Sequence, residues 1–123
     1  ALHDLVENFA QHNKVECELT VHPEDLSVPD RLVTPLYRMV QESLTNVARH
    51  AQATEVMVSL HRDPSGNISL EINDNGKGIA NVDQSMRKSF GLIGMRERAA
   101  VLGGEMKIHS QPGAGTSLHF SIP

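Results

Sequence analysis

Tryptophan is absent, tyrosine occurs once and phenylalanine three times, so aromatic side chains make up only 3% of the 123 residues. A chain this poor in flat π-surfaces cannot build the platform on which successive nucleic-acid bases stack. Its core must come from Leu, Ile, Val, Met and Ala. Positive charge is also short. With 11 Lys and Arg against 15 Asp and Glu, the formal charge is −4, which argues against the basic surface that tracks nucleic-acid phosphates. The one cysteine, Cys17, has no internal partner for a disulfide. Its place in an alternating run makes it a small buried hydrophobe rather than a nucleophile. Neither a secretory leader nor an apolar run of 18 residues is found, so the fragment itself is not expected to enter a membrane and is read as cytoplasmic. Whether a longer parent is membrane-anchored is left open. The P-loop, the dinucleotide fingerprint and the α/β-hydrolase elbow are all missing, so a nucleotide would have to be held by another architecture.

What is present suffices for one two-layer core: 39% of the side chains are hydrophobic, and residues 1–123 are expected to form a single domain. The chain opens with Ala1 directly in a helical pattern, which leads us to expect a piece of a longer protein. Leu2, Leu5, Val6 and Phe9 predict a short helix over residues 2 to about 12. Val15, Cys17, Leu19 and Val21 alternate with polar residues as in a half-buried strand. After a loop at 22–29, a long helix is predicted to start between Asp30 and Pro35. It would start best with Thr34 as cap and Pro35 at the first helical position, where a missing N–H costs nothing. Val56, Val58 and Leu60, then Ile68, Leu70 and Ile72, flank the turn Asp63-Pro64-Ser65-Gly66 and predict a hairpin. A polar stretch without usable periodicity, read as a mobile loop, runs to about Phe90. Leu92, Met95, Ala99 and Leu102 mark a further helix stopped by Gly103-Gly104. A last hairpin places Met106 and Ile108 against Leu118, Phe120 and Ile122. The order α-β-α-β-β-loop-α-β-β predicts a two-layer α/β sandwich, a mixed β-sheet with helices on one face.

On the long helix Leu36, Val40, Leu44, Val47 and Ala51 form one apolar stripe. At about 100° per residue, Glu42, Asn46 and Arg49 gather on the opposite side, with His50 beside them. Any amphipathic helix has a polar back, yet a solvated back favours Lys and Glu, and Asn is only a middling helix former. A carboxylate and an amide oxygen one turn apart can serve a hydrated Mg²⁺, which keeps most of its waters and needs few protein ligands.

Three glycine clusters stand out. Asp74-Asn75-Gly76-Lys77-Gly78 closes a strand, either as a plain turn or as a place where backbone comes close to a ligand. With Asn73 facing out, Asp74 is expected to point inward at the sheet's end. A buried carboxylate there needs donors, and the exocyclic amino group of adenine would supply one. Gly91-Leu92-Ile93-Gly94-Met95-Arg96 sets two glycines at a helix start, whose amides suit a phosphate, although an ordinary loop-to-helix junction reads the same. Gly113-Ala114-Gly115-Thr116, taken singly, is a hairpin turn.

Taken together these segments resemble the GHKL superfamily of ATPases and kinases, and within it the catalytic ATP-binding domain of two-component sensor histidine kinases related to the nitrate and sugar-phosphate sensors. Residues 41–51 look like the N box, 74–78 like the G1 box, 91–98 like the G2 box and 113–116 like the terminal glycine motif. The resemblance covers nearly the whole chain. It implies the GHKL fold, with ATP and Mg²⁺ bound. It further implies a protein histidine kinase that donates the γ-phosphoryl group to a histidine on a separate dimerisation domain, from which an aspartate of a response regulator receives it. The full-length protein would be a homodimer, and the fragment alone would not phosphorylate itself. By the same likeness Asn46 would ligand Mg²⁺, Arg49 would meet phosphate oxygens and His50 would lie against the nucleotide. Asp74 would accept from the adenine amino group, and Gly76 and Gly78 would open the base pocket with Ile79 and Met95 packed near it. Gly91, Leu92 and Gly94 would close the lid over the triphosphate, and Thr116 would help fix the base through its hydroxyl. Glu42, paired with Asn46 as the catalytic and metal-binding set, would act either as a base or as organiser of the metal's water shell.

His3-Asp4 looks like a phosphoacceptor box but is read as part of the domain's first helix, because strand and loop follow within a dozen residues. His12, His22, His61, His109 and His119 show no metal-ligand spacing, and Arg87 and Lys88 are read as solvated loop charges. Within the superfamily, an anti-sigma serine kinase or a hydrolysing ATPase competes with the sensor-kinase reading. From another class, so does a nucleotide-free docking module, which the intact Asn46, Asp74 and glycine loops disfavour.

Overall fold

Period-two alternation in five segments builds one sheet in the computed structural model, which describes residues 2–79, 81 and 90–123, with backbone alone at residues 50, 51 and 90. The strands are β1 (Glu16–His22), β2 (Glu55–Arg62), β3 (Ile68–Asp74), β4 (Glu105–Ser110) and β5 (Thr116–Ile122), in the spatial order β1-β2-β3-β5-β4. β1 runs parallel to β2, and every other neighbouring pair is antiparallel. The sheet is therefore mixed, with β3 at its centre.

The inner face is a stack of cross-strand rows. Leu60, Leu70, Phe120 and Met106 stand side by side on β2, β3, β5 and β4, and Val58, Ile72, Leu118 and Ile108 form the next row. Against them pack Val6 and Phe9 of α1 (Leu2–Asn13), Leu32, Leu36, Met39, Val40 and Leu44 of α2 (Asp30–Asn46), and Leu92, Met95 and Ala99 of α3 (Phe90–Val101). All belong to one hydrophobic cluster. The helices thus cover one face, as the α/β sandwich requires, while the other face carries exposed Glu16, Glu18, Glu55 and Lys107. Among the described residues no helix is long and apolar enough to cross a membrane.

Three local features depart from the sequence expectation or sharpen it. α2 begins at Asp30 after Pro29, and Pro35 lies inside the helix. The reason is Leu32, which is fully buried. Only a helical turn over residues 30–33 aligns it with Leu36 and Met39, and that burial outweighs the one hydrogen bond Pro35 cannot donate. The C-terminal end of α2 widens into a π-helical turn, Val47–Ala51, closed by Gln52 in the left-handed region at φ 52°. The stop of α3 is as expected: Gly103 N–H donates to Ala100 O at 3.0 Å and Gly104 N–H to Ala99 O at 2.9 Å, the Schellman pattern. The loop expected before Phe90, with Arg87 and Lys88, lies almost wholly outside the described residues.

Candidate functional site

At one end of the sheet the inner rows change chemistry. The row after Val58, Ile72 and Leu118 reads Val56, Asp74, Thr116 and Ser110 on β2, β3, β5 and β4. Three polar side chains therefore share the face that is apolar elsewhere. Asp74 is half-buried, and its Oδ1 accepts the Gly76 N–H at 2.8 Å. Burial pushes its carboxyl above the ordinary value, partly offset by the backbone N–H groups of Gly76 and Thr116. A carboxylate desolvated in this way, with capacity left to accept, is suited to a neutral donor such as an amino group.

Ser110 holds the neighbouring loops together. Its Oγ accepts the Ile79 N–H at 2.7 Å, lies 3.0 Å from Gly115 O as donor and sits 2.9 Å from Thr116 Oγ1. The Thr116 hydroxyl, expected to reach a base, is thus engaged with Ser110, and it is the Thr116 backbone that supports Asp74. Sequence reading passed over Ser110, although the alternation Met106, Ile108, Ser110 already assigned it to the inner face. The two glycine loops touch through backbone. Gly113 N–H donates to Lys77 O at 2.7 Å. A Cβ on Gly78 (φ +74°) would collide with the Gln111 carbonyl, and one on Gly115 (φ +80°) with the Asp74 carbonyl. These positions admit no side chain. Gly76 is buried and Ile79 half-buried.

Asn75, read from sequence only as a turn residue, is a second anchor. Its Oδ1 accepts the Thr54 and Glu55 N–H groups, each at 2.9 Å, and its Nδ2 donates to Thr54 Oγ1 at 2.9 Å. The start of β2 is thereby tied to the loop after β3.

The polar stripe of α2 carries the second group of expected residues. Glu42 and Asn46 are half-buried rather than solvated, because the start of α3 packs beside them. A Cβ on Gly91 would collide with Glu42 Oε1 and stand 3.6 Å from Asn46 Nδ2. The expected polar back is therefore a flank facing α3. Ser43, next to Glu42, is buried and donates to Met39 O at 2.7 Å and toward Met95 Sδ at 3.4 Å. Met95 and Leu92 are buried in the core and seat α3 on α2. A Cβ on Gly94 would meet nothing within 4 Å. Arg49 is exposed on the π turn, and the side chain of His50 lies outside the described residues. Among the described residues no group of three or more His, Cys, Asp and Glu side chains could hold a metal ion. The oxygens of Glu42 and Asn46 are hard donors that fit Mg²⁺, but only with water or phosphate completing its shell.

A profile of the family described as "Histidine kinase-, DNA gyrase B-, and HSP90-like ATPase" matches residues 31–123. The signal transduction histidine-protein kinase/phosphatase DegS of Brevibacillus brevis is 35% identical over 120 residues, which is 96% of the chain and 30% of that protein. The sensor protein VraS of Staphylococcus aureus is 37% identical over 110 residues, 89% of the chain and 31% of that protein. The chain thus spans 30–31% of the length of these relatives. Among solved structures, the histidine kinase domain of the Erythrobacter litoralis EL346 blue-light activated histidine kinase superposes with a TM-score of 0.79 at 21% identity, covering 99% of the chain and 58% of that domain. Acinetobacter baumannii histidine kinase AdeS gives 0.77 at 22% identity, covering 98% and 61%. These two share the fold, the mixed sheet with helices on one face.

Proposed function

The chain belongs to the family of histidine kinase-, DNA gyrase B- and HSP90-like ATPases, and on that premise we propose that it is the catalytic domain of a sensor histidine kinase. It binds Mg-ATP and donates the γ-phosphoryl group to a histidine on a separate dimerisation domain of the same kinase, which serves a response regulator. One observation carries this reading: the packing of Gly91 on Glu42 and Asn46, which joins the start of α3 to the polar flank of α2. In this reading Asp74 accepts from the adenine amino group, and Gly76, Gly78 and Ile79 border the base. Leu92 and Met95 form the apolar ground behind α3. The amides around Gly91 and Gly94 and the Arg49 guanidinium face the phosphates, since a helix start and a guanidinium both favour phosphate oxygens. Glu42 and Asn46 would hold Mg²⁺ and its waters, and bound Mg²⁺ supplies charge neutralisation on the phosphates. The chain's own contribution is positioning and electrostatics, with no covalent step on its side chains.

Calorimetric titration with ADP and ATP, with and without Mg²⁺, tests the reading. Nucleotide binding that strengthens with Mg²⁺ is expected, with no radiolabel from γ-labelled ATP on the chain itself. Absence of adenine-nucleotide binding, or label on His3, would reject it.

A further inference from the structure

The Asn75 side chain spans two parts of the chain that sequence separates by some twenty residues. On one side it follows Asp74 and precedes Gly76, whose N–H is fixed on the Asp74 carboxylate. On the other it takes up both N–H groups at the start of β2 and holds the Thr54 hydroxyl. Its own backbone N–H donates to Glu55 O at 3.2 Å. Thr54 stands two residues beyond Gln52, which closes the π turn bearing Arg49. At the opposite end that turn is held by Val47, buried in the core. A π turn is rare and occurs mostly as a single turn within an α-helix, and here, with no helix continuing past Gln52, its far end needs an anchor. Thr54, bonded to Asn75 and through its carbonyl to the Glu16 N–H at 2.9 Å, is where that end is fastened.

We propose that Asn75 is a positioning residue that sets the Arg49-bearing end of α2 against the Asp74 pocket, so that one nucleotide can be gripped at its base and its phosphates together. The inference rests on the nucleotide-binding reading above and extends it. Asn75 is exposed and contributes nothing to the core, and a substitution at an ordinary exposed turn position is close to silent. The positioning role requires a selective effect instead. Asp74 keeps its place through Gly76 and Thr116 whatever stands at 75, so the base pocket survives. What loosens is the segment running back to Arg49.

The test compares ATP with adenosine, which has no phosphates, on the wild-type chain and on Asn75→Ala, by calorimetry and by chemical-shift titration. Loss of the anchor should weaken ATP by about tenfold, the scale on which small misplacements act, and adenosine by less than about twofold. Asn75→Asp keeps the acceptor oxygen for both N–H groups and should bring ATP affinity back to within about threefold of wild type. If Asn75→Ala melts below the assay temperature, Asn75→Ser, too short to reach Thr54, takes its place with the same expectation. Unchanged ATP affinity, equal losses for ATP and adenosine, or an aspartate variant as weak as alanine would each overturn the role. A wild-type chain that bound neither ligand would instead reject the nucleotide reading from which the role follows.

Discussion

Gly91→Ala is expected to separate stability from function. Gly91 is the second residue of α3, with ordinary helical backbone, so alanine relieves part of the entropic cost of glycine there, a gain of at most about 1 kcal/mol. Against this, the new methyl meets Glu42 Oε1 and approaches Glu42 Cδ at 3.4 Å. The obstruction is the far end of a flexible side chain rather than backbone. Turning the Glu42 carboxylate aside costs on the order of 0.5–1.5 kcal/mol. The two nearly cancel, and the melting temperature should stay within about 4 °C of wild type. Function should not be spared, because the Glu42 carboxylate is turned from its place beside α3. Phosphoryl transfer to a separately supplied dimerisation domain should fall by about 10- to 100-fold. The assay is transfer of radiolabel from γ-labelled ATP at saturating Mg²⁺, run beside thermal melting on the same sample. Normal transfer at an unchanged melting temperature would mean that the flank of α2 takes no part in the chemistry.

Three further outcomes are expected. Asp74→Asn should weaken ADP binding roughly 10- to 100-fold, since a hydrogen bond to a charged group is worth about 1.5–3 kcal/mol. It should not lower the melting temperature at pH 7. Burial raises the Asp74 carboxyl, so the stability tied to its neutral form is present below the unfolded pKa and already lost once pH has risen through the folded one. Asparagine escapes that loss, and a melting temperature several degrees lower would contradict it. Ser110→Ala deprives the Ile79 N–H of its acceptor and should cost about 1–2 kcal/mol, seen as a melting temperature lower by several degrees; an unchanged melt would refute its place as the tie between the two loops. Burial pushes the Cys17 thiol up to about 11, so at pH 8 its thiolate fraction is about two hundredfold below that of a free thiol with pKa about 8.5 and iodoacetamide should label it far more slowly, and labelling at the free-thiol rate would refute this.

Element order, sheet face and the inward turn of Asp74 were legible because each rests on period: two for strands, 3.6 for helices. The wheel placed Glu42 and Asn46 off the apolar stripe correctly, on its opposite side, without saying what lies against them. A wheel gives angle relative to a stripe, and it took α3 to decide that this angle faces a neighbouring element. The start of α2 was bracketed between Asp30 and Pro35 but not fixed, because local proline chemistry favoured Pro35 as the first residue, while the burial of Leu32 that overrides it is a tertiary fact. The π turn leaves no period of its own in five residues. Ser110 and Asn75 were missed for a related reason. Their work is done through backbone groups of distant residues, Ile79 and Gly115 for one, Thr54 and Glu55 for the other, and side-chain patterning does not register such partners.

The position of β3 has a dynamic consequence. It is flanked by β2 and β5 along its whole length, from Ile68 to Asp74, so its amide protons belong to the part of the molecule that opens last. The carboxylate proposed to read the base hangs from this doubly paired strand, whereas α3 rests on the same core from outside the sheet. On the proposed reading, a fluctuation that lifts α3 away would release the phosphate side first and leave the purine side standing, a two-stage departure that spares the sheet.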